Sequence, residues 1–477
     1  SCFYPGTRYC TLSLSVGGGD ASTDREFDLQ TGQFVDSGFT SPHSKQSIAW
    51  QDKDTLLIAR EWGPNTMTTS GYPFIVKEWK RGTPLDSAKE IFRGEPSDIS
   101  SSAAVLEDAQ GDHLTLIDRN VTFFQSRWFV KTPSGLHEIA MPLKAQPDGL
   151  LDGRLLIEIH EDWTPAPGGP KYTQGSLLSV RVADLMRDPA HLHPTIVFAP
   201  TADEFLNQVA TTRTRVIVTT LKHVLGQAYV YTPSETDNWS HRPLDVPSNS
   251  TIGIVTASDS SDAFFLSITS FLTPSSLLSG NAATAKLTAS KSEPALFDSS
   301  RDTVDQLYAT SKDGTRVPYF VVHPKSMQYN GQNPTLLNAY GGFEVSETPT
   351  YSAVRGKLWL EKGGVFVLAN IRGGGEFGPA WHEAGLKTHR QRIYDDFAAV
   401  AEDLLARKIT STPHLGIIGG SNGGLLMGVE MTQHPDLYHA IVIQVPLLDM
   451  LRFEKIEAGA SWVGEYGSIS IPAERAL

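Results

Sequence analysis

The chain has 477 residues, a net charge of −13, 40% hydrophobic and 19% charged residues. That length is too great for one ordinary core and predicts two domains, while the composition excludes wholesale disorder. The acidic balance, with no basic stripe, excludes nucleic acid as a partner, and no apolar stretch approaches the ~20 residues that span a bilayer, so no membrane partner is expected. Cys2 and Cys10 are too few for a disulfide scaffold, and no His or Cys cluster has zinc spacing. The opening Ser1-Cys2-Phe3 lacks a methionine and a signal sequence, the close at Ala476-Leu477 lacks an obvious terminal helix, and both ends read as cut.

From residue 1 to about 280 the pattern is one of short strands between turn clusters. Thr55 to Ala59, Leu114 to Ile117, Arg127 to Val130, Arg154 to Ile159, Thr214 to Val218 and Ala263 to Ile268 are examples, separated by runs such as Gly17-Gly18-Gly19-Asp20. Such spacing with hardly any helical period predicts an all-β domain, a sandwich or a propeller. The length fits several four-stranded blades of ~40–45 residues. A Ser/Ala/Lys/Thr stretch from Asn281 to Pro294 reads as the connection between domains, giving a division into 1–294 and 295–477.

After it the texture changes. Val304 to Ala309 and Arg316 to Val322 flank Lys312-Asp313-Gly314, a hairpin signal. Apolar strands at Thr335 to Leu337 and Val365 to Ala369, a helix from Tyr394 to about Arg407, and strands at Leu415 to Ile418 and Ala440 to Ile443 follow. Continuous apolar strands alternating with helices predict a mostly parallel sheet covered on both faces, an α/β-hydrolase core.

Gly419-Gly420-Ser421-Asn422-Gly423-Gly424 lies between such a strand and the helix opening at Leu425. In that setting G-x-S-x-G is a nucleophile elbow, whose glycines spare the bend and the serine hydroxyl from neighbouring β-carbons. Ser421 is the candidate nucleophile, and the Asn422 backbone N–H is the candidate oxyanion donor. Gly373-x-Gly375-x-x-Gly378, with Asp395 and Asp396 about twenty residues on, matches a dinucleotide fingerprint in letters. The two acids, however, open a helix, where they suit the N-terminal dipole, and the glycines read better as a loop crossing beneath the active site.

Four motifs, Tyr340-Gly341-Gly342-Phe343, Asn370 to Gly378, Gly419 to Gly424, and Ala460-Ser461-Trp462 with Glu465-Tyr466-Gly467, together resemble the prolyl oligopeptidase family of serine peptidases. The resemblance is dense from about Phe297 to Gly467. It implies a seven-bladed propeller over the active site, Tyr340 as second oxyanion donor, and Trp462 stacking on a substrate proline. Phe343 and Tyr466 would line the same pocket. It further implies cleavage of short peptides after proline through an acyl-enzyme, with no metal or organic cofactor. Related oligopeptidase or acylaminoacyl peptidase specificities are the near alternative; a monomer in the cytoplasm is expected.

The triad is incomplete. A hydrolase of this fold takes Asp and then His after the serine. Only His434 and His439 follow Ser421, one at the far end of the predicted helix and the other before the next strand. His382 and His389 upstream would require a rearranged triad. The expectation is therefore a family-like chain whose triad Asp and His lie beyond Leu477 and which is inactive as it stands. A non-catalytic propeller binding protein is the reading from another class.

Overall fold

The computed structural model describes residues 1–3 and 8–476. They form two compact units: Ser1–Tyr172 with Leu177–Ile196 and Glu454–Gly464, and Thr173–Ser176 with Val197–Phe453 and Glu465–Leu477. Cys2 and Cys10 are joined by a disulfide within the first unit.

Up to residue 292 the chain makes six four-stranded antiparallel sheets, over 9–44, 47–93, 100–138, 145–198, 204–243 and 251–292. Five are plain meanders of consecutive strands; in the first, the second strand pairs with all three others. A four-stranded meander repeated along the chain is the blade unit of a propeller. The described residues carry six such sheets, where the resemblance implied seven blades. Burial falls across a blade: Thr55–Ala59 is buried throughout, whereas the outer strands Gly135–Glu138 and Lys286–Ser292 are mostly exposed.

That gradient corrects the expected linker. Residues 282–285 are a turn of the last blade, and Lys286–Ser292 is its fourth strand, paired with Ser276–Asn281. An outermost strand has one solvated face and a free edge, so it takes lysine, serine and threonine and imitates a linker in composition. Residues 293–301 join that strand to the next, Asp302–Thr310.

The rest of the second unit is a six-stranded sheet. We number its strands β1 (Asp302–Thr310), β2 (Arg316–Pro324), β3 (Thr335–Asn338), β4 (Val365–Ala369), β5 (Leu415–Gly420) and β6 (Ala440–Gln444). Their order is β1-β2-β4-β3-β5-β6; β1 and β2 are antiparallel to their neighbours, and the others run parallel. Two helices flank the parallel part: α1 (Gln391–Ala406), which starts three residues before the expected Tyr394, and α2 (Asn422–Gln433). Ile393, Phe397, Val400 and Leu404 of α1 pack with Tyr319, Val321, Val367 and Ile417 of the sheet. Phe320, Val322, Phe366 and Leu368 form the opposite core with Phe271, Phe297 and Leu360. The alternation of Tyr319 and Val321 with Phe320 and Val322 is the period-two signature of a strand covered on both faces.

Glu430 of α2 is fully buried; one oxygen accepts from the Tyr438 hydroxyl at 2.6 Å, and the other has no partner among the described residues. Burial pushes its carboxyl from the ordinary 4.5 up to about 8. The folded state therefore holds a proton that the unfolded chain releases, and stability falls as pH rises from about 4.5 to about 8, with a limiting slope of ~1.4 kcal/mol per pH unit. Glu430→Gln is expected to flatten this dependence and to raise the urea midpoint at pH 8 more than at pH 5. An unchanged pH profile of urea unfolding would show that Glu430 is ionised in the native state.

Candidate active site

The parallel strands fix where the site can form. Strand β5 ends at Gly420 and helix α2 begins at Asn422, so Ser421 alone makes the turn. Its backbone has φ +56° and ψ −120°, a region that a residue with a β-carbon occupies only under constraint. The constraint comes from both sides. The Ser421 N–H donates to Gln444 O of β6 at 3.1 Å, and its carbonyl accepts from Gly424 N and Leu425 N. A β-carbon on Gly423 would lie 2.9 Å from Ala339 O, and one on Gly424 would lie 2.6 Å from Gln444 O. These are backbone atoms that cannot step aside. At Gly420 a β-carbon would meet Gln444 at no closer than 3.6 Å, an ordinary contact. The six-residue motif thus mixes glycines the bend requires with one it does not.

Ser421 is exposed at the C-terminal end of β5. Tyr340 follows β3, its neighbour in the sheet, and is half-buried with its hydroxyl in polar contact with the Ser421 side chain. Burial raises the Tyr340 phenol above its ordinary value, and the Ser421 contact partly opposes this. The Asn422 N–H, first in the helix, finds no acceptor among the described residues. A phenol, a free helix N–H and a serine hydroxyl therefore sit together at the ends of adjacent strands.

The Asn422 side chain ties this group to the loops around it. It is 1% exposed; Nδ2 donates to Tyr340 O at 2.6 Å, and Oδ1 accepts from the Tyr466 hydroxyl at 3.1 Å and from Arg390 Nη2. Gly342 leaves room for it, since a β-carbon there would lie 2.8 Å from Asn422 Cγ. Arg390 also donates to Glu465 at 2.9 Å and lies 4.4 Å over the Tyr466 ring. The second Glu465 oxygen meets His382 Nε2 at 2.8 Å. Burial raises the Glu465 carboxyl, but His382 and Arg390 more than offset it, leaving the group below its ordinary value. The Tyr466 ring makes edge contacts with Phe343 at 5.6 Å and Phe453 at 5.5 Å.

Residues 340–347 are seated on the glycine-rich loop. Glu344 N donates to Gly373 O, and Glu347 N donates to Glu376 Oε1 at 2.8 Å. Arg372 is held by fully buried Asp396 of α1 through Nε at 2.9 Å, Nη2 at 2.6 Å and the Arg372 backbone N–H at 3.0 Å. Asp396 therefore serves as the anchor of the loop rather than as a neutraliser of the helix dipole, and it is unavailable to a ribose. The G-x-G-x-x-G match is a loop passing under residues 341–344.

Of the six residues proposed from sequence, Ser421, Asn422, Tyr340, Phe343 and Tyr466 come together in the second unit. Trp462, half-buried at the end of the 3-10 turn Gly459–Trp462, belongs to the first. Sequence reasoning missed Arg390, gave Glu465 no role beyond the motif that contains it, and weighed His382 only as a base. Glu465 stood inside the Trp462 to Gly467 motif as a charge among apolar residues, a usable signal; Arg390, in the polar run His389-Arg390-Gln391-Arg392, carried none. His382 points both ring nitrogens at carboxylates, Glu465 and, at 3.7 Å, Glu344. His434 caps the far end of α2, and the His439 N–H bonds Leu415 O at the start of β5.

A serine in a left-handed strand-to-helix turn, on a mostly parallel sheet, defines an α/β hydrolase. Comparison with known proteins narrows this further. The family model "Prolyl oligopeptidase, N-terminal beta-propeller domain" matches residues 3–293, and "Prolyl oligopeptidase family" matches 349–474. An uncharacterized peptidase of Sinorhizobium fredii is 45% identical over 100% of this chain and 66% of its own length. One from Rickettsia prowazekii is 36% identical over 99% and 67%. The structure of a post-proline cleaving enzyme from Rickettsia typhi superimposes with a TM-score of 0.93 at 34% identity, over 100% of this chain and 70% of that one. The chain belongs to the prolyl oligopeptidase family, as a β-propeller followed by an α/β-hydrolase domain. It spans about two thirds of the length of these curated relatives.

The glycine geometry makes a direct prediction. Gly420→Ala is expected to change stability by less than ~1 kcal/mol, whereas Gly424→Ala, which overpacks against backbone, is expected to cost ~1–3 kcal/mol or more. Urea denaturation of the two variants checks it; equal losses would show that the turn relaxes more than this geometry allows.

Proposed function

We propose that the protein to which this chain belongs is a serine oligopeptidase that cleaves short peptides after proline through an acyl-enzyme on Ser421. The observation that carries this reading is the Ser421 turn, with the Tyr340 hydroxyl beside it and the Asn422 N–H unengaged. Two donors at that position suit the oxyanion of a tetrahedral intermediate. Phe343 and Tyr466 supply apolar walls, and Trp462 is assigned to the same pocket by the family motif, where a flat ring suits a pyrrolidine with no N–H to satisfy. The post-proline cleavage named for the Rickettsia typhi structure supports this specificity over the related ones. We place the domain boundary near residue 294.

In the complete enzyme, Tyr340→Phe is expected to lower kcat by about 10²–10³-fold with KM little changed. A rise in KM at constant kcat would make Tyr340 a substrate-positioning group instead.

Residues 1–477 alone are expected to be inactive. The two histidines after Ser421 stand at the other end of β5 and α2, and His382 is occupied by carboxylates. Purified protein should neither hydrolyse a proline-containing chromogenic peptide nor react stoichiometrically with a fluorophosphonate. Rapid turnover with labelling of Ser421 would overturn this and direct attention to His382 or His389 as the base.

A further inference from the structure

Away from Ser421, the second unit contains a cavity of about 810 Å³, within the range of small-molecule sites. It opens where the last blade, over 251–292, meets the β1–β2 hairpin. Its apolar lining includes Leu225, Phe271, Leu272, Val304 and Phe320, with the Phe271 and Phe320 rings 5.6 Å apart.

Two acidic residues, Asp302 and Asp305, are among the lining. Asp302, Val304 and Gln306 alternate along β1, and Val304 and Gln306 pair with Val322 and Phe320 on β2. Asp302 thus shares the face of Val304 and Phe320, and it lines the cavity. It is 6% exposed, and its carboxylate makes no hydrogen bond or ion pair among the described residues. Lys325, next to its cross-strand partner Pro324, donates its ammonium to Ser300 O instead. Asp305, of opposite parity on the strand, pairs with His323. Arg301, His323 and Lys325 act on Asp302 through charge without a hydrogen bond to it, so a cation with N–H donors would be its first hydrogen-bonded partner among the described residues.

We propose that this cavity is a binding site for a small organic cation, a primary ammonium on an apolar or aromatic body, held by Asp302. A metal ion suits it poorly, because Asp305 is already paired with His323, which leaves one carboxylate where a metal takes several donors. The ammonium would donate to Asp302 while the body lies against Phe271, Leu272 and Phe320, where an aromatic ring gains edge or offset contacts. Because the last blade and the β1–β2 hairpin both line the cavity, an occupant would touch both and stabilise the folded chain by mass action. The site is independent of the chemistry assigned to Ser421.

The test uses phenethylamine as probe and 2-phenylethanol as its neutral counterpart, titrated by calorimetry into the 1–477 protein, with Tm followed in parallel. The amine is expected to bind at least about tenfold tighter than the alcohol and to raise Tm with concentration, as a charge-assisted hydrogen bond requires. Asp302→Asn should bring the amine to the level of the alcohol. Equal binding of the two probes, no binding of the amine at millimolar concentration, or undiminished amine binding by a natively folded Asp302→Asn variant would each overturn the proposal. The probe comparison needs no variant, so it stands if Asp302→Asn fails to fold.

Discussion

The left-handed backbone of Ser421 is the constraint from which the site's geometry follows. A residue with a β-carbon does not hold φ +56° unless its neighbours leave it nothing better. Here β6 takes its N–H, the first turn of α2 takes its carbonyl, and the tight packing at Gly423 and Gly424 brings the chain against Ala339 and Gln444. The same closeness sets Tyr340 and Asn422. Tyr340 follows Ala339, whose carbonyl abuts Gly423, and Asn422 starts the helix launched by the turn. Under the proposed reading, oxyanion donors and nucleophile are therefore placed by one bend rather than by three separate devices.

Buried charge holds the surroundings in place. Arg372 with Asp396, and Arg390 with Glu465 and His382, are largely buried ionisable groups joined to one another by short ion pairs. Such groups add little net stability compared with apolar packing, but a misplaced loop would strand a charge in the interior, which costs several kcal/mol. That penalty discriminates against alternative loop arrangements, and the two networks lie where discrimination matters. One seats the glycine loop under residues 341–344; the other fixes the Asn422 side chain, the Tyr466 ring and, through Tyr466, the Phe343 wall.

Periodicity made most of the fold legible in the sequence, for a physical reason. Strands such as Thr55–Ala59, Val365–Ala369 and Leu415–Gly420 lie in sheets that bury them, so their burial is written as apolar runs. The elbow was legible because its chemistry is local: five residues and their flanking elements suffice. The outer strand Lys286–Ser292 was not, because a solvated edge and a linker select the same residues. Asp396 was misread because a dipole preference is local whereas its true partner, Arg372, is 24 residues away. Arg390 was invisible for the same reason, being joined to Asn422 and Glu465 across 32 and 75 residues.

The two halves of a serine-peptidase apparatus differ in how they can be built. Oxyanion stabilisation is electrostatic preorganisation, and its value lies in donors being fixed before the reaction starts. A general base must instead sit within hydrogen-bond reach of the hydroxyl, and it contributes only while its protonation state and tautomer are right. Under the proposed reading, the first half is rigidly assembled in this chain: Asn422 is locked by Tyr340, Tyr466 and Arg390, and Tyr340 stands against Ser421. Of the candidate histidines, His382 is turned to carboxylates, and His434 and His439 lie at the far ends of α2 and β5. Residues 340–466, under the proposed reading, hold the oxyanion half of the apparatus and leave the base as the half to be supplied. Under the proposed reading, a base supplied from elsewhere would meet a serine already strained outward and an oxyanion site already formed, so its arrival would change proton transfer rather than architecture.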